Sequence, residues 1–262
     1  MTWFRLAVAL SSLSEPFRSA LKRLRDWGVQ GAEWDATGEL APRELSASGR
    51  RELCHLLQAH NLQAAGLRVP LARGLDDPEG LEARMQWIRE TLQLAYDVGS
   101  RIVLVDPGTL PEDPATPPYT MLADVLQTLG RFGERVGSVL ALETGASAPS
   151  AWQQLLGRLQ SEGLGLVLDP ATLIAHGYEP EEAVAQFQEY LRYVQAREAR
   201  RGSRSHPAQE VALGHGHVDW VGLINALQDA GYRGWLSLKR QPGLTARRDL
   251  EEGLRFLRRL LG

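Results

Sequence analysis

Three short apolar runs in this chain each lead into a residue that could do chemistry. Val-Leu-Ala-Leu runs into Glu143, Leu-Gly-Leu-Val-Leu into Asp169, and Trp-Leu-Ser-Leu into Lys239. A carboxylate at such a place can carry a proton to or from a reacting carbon, or hold a cation. A lysine there can neutralise developing negative charge, or attack a carbonyl as the free amine. Glu33, Asp35, Arg68, Asp106, Gln195 and Arg197 stand in or at the ends of similar runs, and Thr172 follows Asp169 by three residues.

The elements that must position these groups follow from periodicity. Strand candidates are residues 4–10, 31–35, 62–69, 101–106, 138–144, 164–169, 191–197 and 235–240. Helical patterns alternate with them near 15–28, 42–60, 78–98, 119–136, 150–162, 179–190, 219–232 and 245–261. Eight alternations without a long insertion predict a single (β/α)8 TIM barrel, one domain over 1–262, with the last helix packing beside the first. Thr245 is expected to N-cap that helix, Pro42, Pro78 and Pro180 to sit in first turns, and Gly28, Gly99 and Gly137 to follow helix ends. Strand parity turns Leu140, Leu142, Leu166, Leu168, Leu236 and Leu238 toward the helices. It leaves Glu33, Asp35, Arg68, Glu143, Asp169, Tyr193, Gln195, Arg197, Ser237 and Lys239 facing inward. The polar ones gather at the carboxyl ends of the strands, the face on which TIM barrels build their sites.

Composition narrows the classes. With 262 residues, 44% apolar, 23% charged and a formal charge of −3, the chain reads as an ordinary globular protein. Nothing supports a nucleic-acid or anionic-membrane surface, since those need clustered Lys and Arg. The basic stretch 197–204 reads as a solvated loop, and 199–209 as a mobile loop at the mouth and a possible lid. The single cysteine, Cys54, excludes an internal disulfide and is expected to be a small buried hydrophobe. The N-terminal apolar run is too short for a signal peptide or membrane span, which predicts a cytoplasmic protein, monomeric or homodimeric.

Five segments carry a resemblance over nearly the whole chain: Gly31-Ala-Glu-Trp-Asp35, Leu140-Ala-Leu-Glu-Thr144, 166–172 (LVLDPAT), 211–220 (VALGHGHVDW) and 231–235 (GYRGW). In order and spacing they resemble the sugar phosphate isomerase/epimerase, xylose isomerase-like TIM-barrel family. The resemblance implies a divalent metal held by a fifth-strand Glu, a sixth-strand Asp, a seventh-strand His and an eighth-strand Glu. That metal polarises a carbonyl while carboxylates move a proton between neighbouring carbons. Glu143 and Asp169 match two of these positions. The seventh strand reads Tyr193-Val-Gln195-Ala-Arg197-Glu198 without histidine, Thr172 stands where Asn or His is common, and Lys239 replaces the last glutamate.

A lysine ammonium beside a divalent cation is repelled where the dielectric is low. The expectation is therefore charge substitution: no metal, with Lys239 and Arg197 as the cations and Glu143 and Asp169 as counter-ions. The alternative is Mn or Mg at Glu143 and Asp169. The site reads as Glu143, Lys239 and Asp169 for chemistry, with Glu33, Arg68, Asp106, Thr172, Gln195 and Arg197 for binding a small sugar or polyol. Competing readings are a catalytically inactive ligand-binding or scaffold relative whose ion pairs plug the mouth, and a Lys239-dependent aldolase. Neighbouring carboxylates favour the ammonium and disfavour the aldolase. His215 and His217 invite a metal reading, but their turn is expected to be structural. His176 is expected on a surface loop, and Trp34 and Trp235 are candidates for stacking on a sugar.

Overall fold

The computed structural model describes residues 4–203 and 205–262. Its strands are β1 (Arg5–Ala9), β2 (Gly31–Asp35), β3 (Gln63–Val69), β4 (Ile102–Val105), β5 (Val139–Glu143), β6 (Leu164–Leu168) and β7 (Leu191–Ala196). A small hairpin, β8 (Glu198–Arg200) with β9 (Gln209–Val211), precedes β10 (Trp235–Leu238). β1 to β7 and β10 pair in parallel, and β10 joins β7 to β1 to close the barrel. The helices are α1 (Phe17–Asp26), α2 (Ala47–Ala59), α3 (Leu81–Asp97), α4 (Pro117–Val136), α5 (Pro149–Leu159), α6 (Pro170–Ala175), α7 (Pro180–Phe187), α8 (Trp220–Asp229) and α9 (Ala246–Leu261). This is the expected (β/α)8 barrel.

Two apolar shells hold it. Between strands and helices, Leu140, Leu142, Leu166, Leu168, Leu236 and Leu238 are buried together with Leu21, Leu24, Leu250, Leu254 and Leu257 of α1 and α9. Each fully buried leucine contributes about 2 kcal/mol, so this jacket outweighs any single polar contact at the surface. Inside the barrel Ala7, Ala65, Leu104, Ala141, Val167, Tyr193 and Trp235 form a separate packed core. Small residues on several strands leave room for the two large rings.

α9 lies against the end of α1. Trp27 Nε1 donates to Glu251 Oε1 at 3.1 Å, and Arg258 donates to the Trp27 and Gly28 carbonyls. α4 begins with proline and ends at Gly137, whose φ of +76° a side chain would resist. Pro180 also starts its helix. Pro42 and Pro78 do not: α2 begins at Ala47, where Ser46 Oγ accepts from Gly49 N at 3.2 Å, and α3 begins at Leu81 after a left-handed Gly80. Thr245 sits at the α9 cap position, but its hydroxyl donates to Asp249 Oδ2 at 3.1 Å and caps no backbone N–H. Cys54 is half-buried against the core rather than enclosed in it. No described helix is long and apolar enough to cross a membrane.

Candidate functional site at the carboxyl end of the barrel

Above the apolar floor, the inward side chains of β2, β7 and β10 meet in a buried trio. Glu33 Oε2 accepts from Ser237 Oγ at 2.7 Å and from Tyr193 Oη at 3.0 Å. Glu33 is 1% exposed, and its Oε1 has no partner among the described residues. Burial pushes the Glu33 carboxyl above the ordinary glutamate range; Lys239 and the two hydroxyl donors oppose this only in part. Burial also raises the Tyr193 phenol well above its usual value, and Glu33 adds to the effect, so Tyr193 stays a neutral donor.

A raised carboxyl contributes stability that is fully present below its unfolded value and is lost as pH rises through the folded one. Glu33→Gln, neutral at every pH, should therefore cost less stability near pH 7 than near pH 4. Urea unfolding at the two pH values checks this. An equal cost at both would mean that Glu33 titrates normally.

One pleat higher, Glu143 is the hub. Arg68 Nε donates to its Oε1 at 3.1 Å and Arg68 Nη2 to its Oε2 at 3.4 Å. Gln195 Nε2 donates to Oε1 at 3.4 Å, and Lys239 Nζ lies 3.9 Å from the same oxygen. Lys239 Nζ also donates to Gln195 Oε1 at 3.5 Å. Burial alone would raise Glu143, but Lys239, Arg68 and Arg197 outweigh it and hold the carboxyl below the ordinary range. Lys239 thus stands on the inner face, as strand parity requires, between a carboxylate and an amide.

A second network flanks the first. Asp169 N-caps α6: its Oδ1 accepts from Thr172 N at 3.2 Å and its Oδ2 from Thr172 Oγ1 at 3.0 Å. Arg197 Nη1 donates to Asp169 Oδ2 at 2.6 Å and Nη2 to Glu210 Oε2 at 3.3 Å. Asp169 in the first place, opposed by burial, drives the Arg197 guanidinium above its already high range. Glu210 continues to Arg240 at 3.5 Å, and Arg240 to Asp249 at 3.0 Å. The network therefore ties α6, β7, the hairpin, the end of β10 and α9 together.

Of the residues singled out from sequence, Arg68, Gln195 and Lys239 converge on Glu143, Glu33 lies one pleat below them with Ser237 and Tyr193, and Asp169, Thr172 and Arg197 form the adjoining network. Asp106 does not join them. It is exposed, and its Oδ1 accepts from Gly108 N at 3.0 Å in the turn after β4. Trp34 faces the helices, edge-on to Phe17, and Trp235 lies in the barrel floor under Arg5, so neither ring reaches the mouth. His176, His215 and His217 are exposed, and His217 Nδ1 accepts from Arg201 N at 2.8 Å. The 199–209 segment is not one structureless loop: its ends pair as β8 and β9.

Sequence reasoning missed two carboxylates. Glu210 anchors the hairpin to Arg197 and Arg240. Glu198, 1% exposed, accepts from the N–H groups of Ala199, Gly214 and Val218 and from Trp220 Nε1. The only hint of Glu198 in the sequence is a lone acid within a basic stretch.

Glu143 and Asp169 are engaged as counter-ions in this arrangement. Every oxygen of Glu143 and Asp169 already accepts from a donor, three of the four from a cation. Among the described residues no group of three or more His, Cys, Asp or Glu is placed to hold a metal ion.

Residues 21–260 match the model of the xylose isomerase-like TIM barrel family, and the chain belongs to that family. No curated protein matches it. Among solved structures it is similar to a xylose isomerase domain protein from Planctomyces limnophilus, at 22% identity and a TM-score of 0.87 over 98% of this chain and 97% of that one. It is also similar to a D-tagatose 3-epimerase-like protein, at 18% identity and 0.76 over 99% and 100%. A xylose isomerase-like TIM barrel protein from Mycobacterium smegmatis in complex with magnesium aligns at 16% identity and 0.79 over 98% and 96%. At these identities the likeness is one of fold.

Proposed function

We propose that this protein is an isomerase- or epimerase-like enzyme that acts on a small sugar or polyol at the carboxyl end of the barrel. In this reading the chain's own cations supply the positive charge for which the family uses a divalent metal. The observation that carries it is Lys239 Nζ, held 3.9 Å from Glu143 and 3.5 Å from Gln195 Oε1. An ammonium fixed there can draw the carbonyl oxygen of a bound sugar and stabilise the charge that forms on it when a neighbouring carbon loses its proton. Glu143 and Gln195 orient Lys239, while Arg68 keeps Glu143 ionised.

The alternative is an inactive relative that binds a ligand or serves as a scaffold. Its support is that Arg68, Arg197, Lys239 and Arg240 are all engaged by carboxylates, as in a plugged mouth. The two readings part in one experiment. Chelator-treated protein is incubated with D-tagatose in D2O, and deuterium uptake next to the carbonyl is followed by proton NMR. The enzyme reading expects uptake without metal and a loss on the order of a hundredfold in Lys239→Met. Uptake that appears only after Mn²⁺ is added back would overturn it, and no uptake under either condition would favour the inactive relative.

A further inference from the structure

We infer that Asp35 is the proton-transferring carboxylate of this mouth, with Lys239 facing the oxygen on which charge develops. The inference rests on the isomerase/epimerase reading above and names a group which that reading leaves open.

A base needs a lone pair that is free in the resting site, and the carboxylates of the mouth differ sharply in this respect. Glu143 accepts from Arg68 through both oxygens and from Gln195 as well. Asp169 is taken up by Thr172 and Arg197. Glu210 is taken up by Arg197, Arg240 and Gln241 N. Protonating any of these would break a charge-assisted bond. Asp35 is different. It is the last residue of β2, two positions above Glu33 on the same inward face, and half-buried. Among the described residues none donates a hydrogen bond to its carboxylate or comes within ion-pair distance of it.

Its surroundings suit the task. Arg68, its register partner on β3, and Lys239 on β10 keep its anion available, while Glu143 on β5 and burial work the other way. Burial prevails and lifts the Asp35 carboxyl above the ordinary aspartate range, closer to where a base exchanges protons readily near neutrality. Below it on the same strand, the buried Glu33 Oε1 also lacks a donor among the described residues. Glu143, by contrast, is committed as the counter-ion that holds Arg68 and Lys239 in place.

The step balances within the site. An Asp35 oxygen takes the proton from the carbon beside the sugar carbonyl. The C–H pair becomes the C=C bond of an enediolate, and the carbonyl π pair moves onto oxygen opposite the Lys239 ammonium. The hydroxyl proton on the deprotonated carbon passes to the former carbonyl oxygen, and return of the Asp35 proton to the former carbonyl carbon then completes an isomerisation, whereas return to the same carbon leaves only exchange with solvent. No oxidant or reductant is required.

The test compares wild type, Asp35→Asn and Asp35→Glu in deuterium uptake by D-tagatose, with folding checked by circular dichroism and thermal midpoint. Asp35→Asn should lower kcat on the order of a hundredfold or more with little change in KM. Asp35→Glu should recover part of the rate and move the acid limb of the kcat/KM profile. An Asp35→Asn protein that keeps the wild-type kcat would overturn the inference while leaving the isomerase/epimerase reading standing. A wild type inert toward the ketose would overturn that reading, and this inference with it.

Discussion

Lys239→Glu should create affinity for Mn²⁺ or Mg²⁺ where the wild type has little. The substitution removes an ammonium 3.9 Å from Glu143 and places a carboxylate on the same inward face. The local charge changes by two units, and each unit at about 4 Å is worth roughly 4 kcal/mol at the effective dielectric of a protein surface. Part of this is lost because Arg68 stays on Glu143 and Arg197 on Asp169. The net gain expected is about a hundredfold in affinity, a little under 3 kcal/mol. Manganese EPR of the stripped proteins reads it directly as free and bound signal. Equal affinity in wild type and variant would mean that Lys239 is not what keeps a cation out.

Glu198→Ala should produce the largest loss of stability of any single side-chain truncation around the mouth. The carboxylate is buried and gathers four donors: Ala199 N at 3.2 Å, Gly214 N and Val218 N at 3.1 Å, and Trp220 Nε1 at 2.8 Å. Truncation strands buried N–H groups, each costing about 1–3 kcal/mol, so the sum should reach about 4 kcal/mol. The space is fitted closely: a Cβ added at Gly216 would stand 2.3 Å from Glu198 Oε1. Glu198→Gln, which keeps an acceptor, should lose less. Urea denaturation measures both, and a loss below about 1 kcal/mol for Glu198→Ala would show that the loop 212–219 finds its partners elsewhere.

This clamp of Glu198 by its four donors also shows where the sequence stops being legible. The barrel could be read because its strands alternate at period two and its helices at period 3.6, and each pattern depends only on near neighbours. Parity alone put Glu33, Arg68, Glu143, Gln195 and Lys239 on one face, because inward direction is a property of the strand. The clamp is of another kind. Glu198 and its donors are 16 to 22 residues apart, apart from Ala199, and nothing local in Arg197-Glu-Ala-Arg200 shows that this acid turns into a nest of N–H groups. α6 does not show in the periodicity because six residues are too few for a helical period, although Asp169-Pro-Ala-Thr172 is a start signal. The hairpin reads as a loop from sequence because its basic, Gly- and Ser-containing composition hides two three-residue strands. Roles were harder still. Glu143 reads as a base on a strand end, but its chemistry depends on which cations reach it, and Arg68 comes from two strands away.

The central claim is that this mouth carries its own positive charge where relatives carry a metal. Calorimetric titration of Mn²⁺ into chelator-stripped wild-type protein at low ionic strength tests it most directly. The account predicts no stoichiometric binding heat at the barrel mouth. A one-to-one isotherm that disappears in both Glu143→Gln and Asp169→Asn would contradict it.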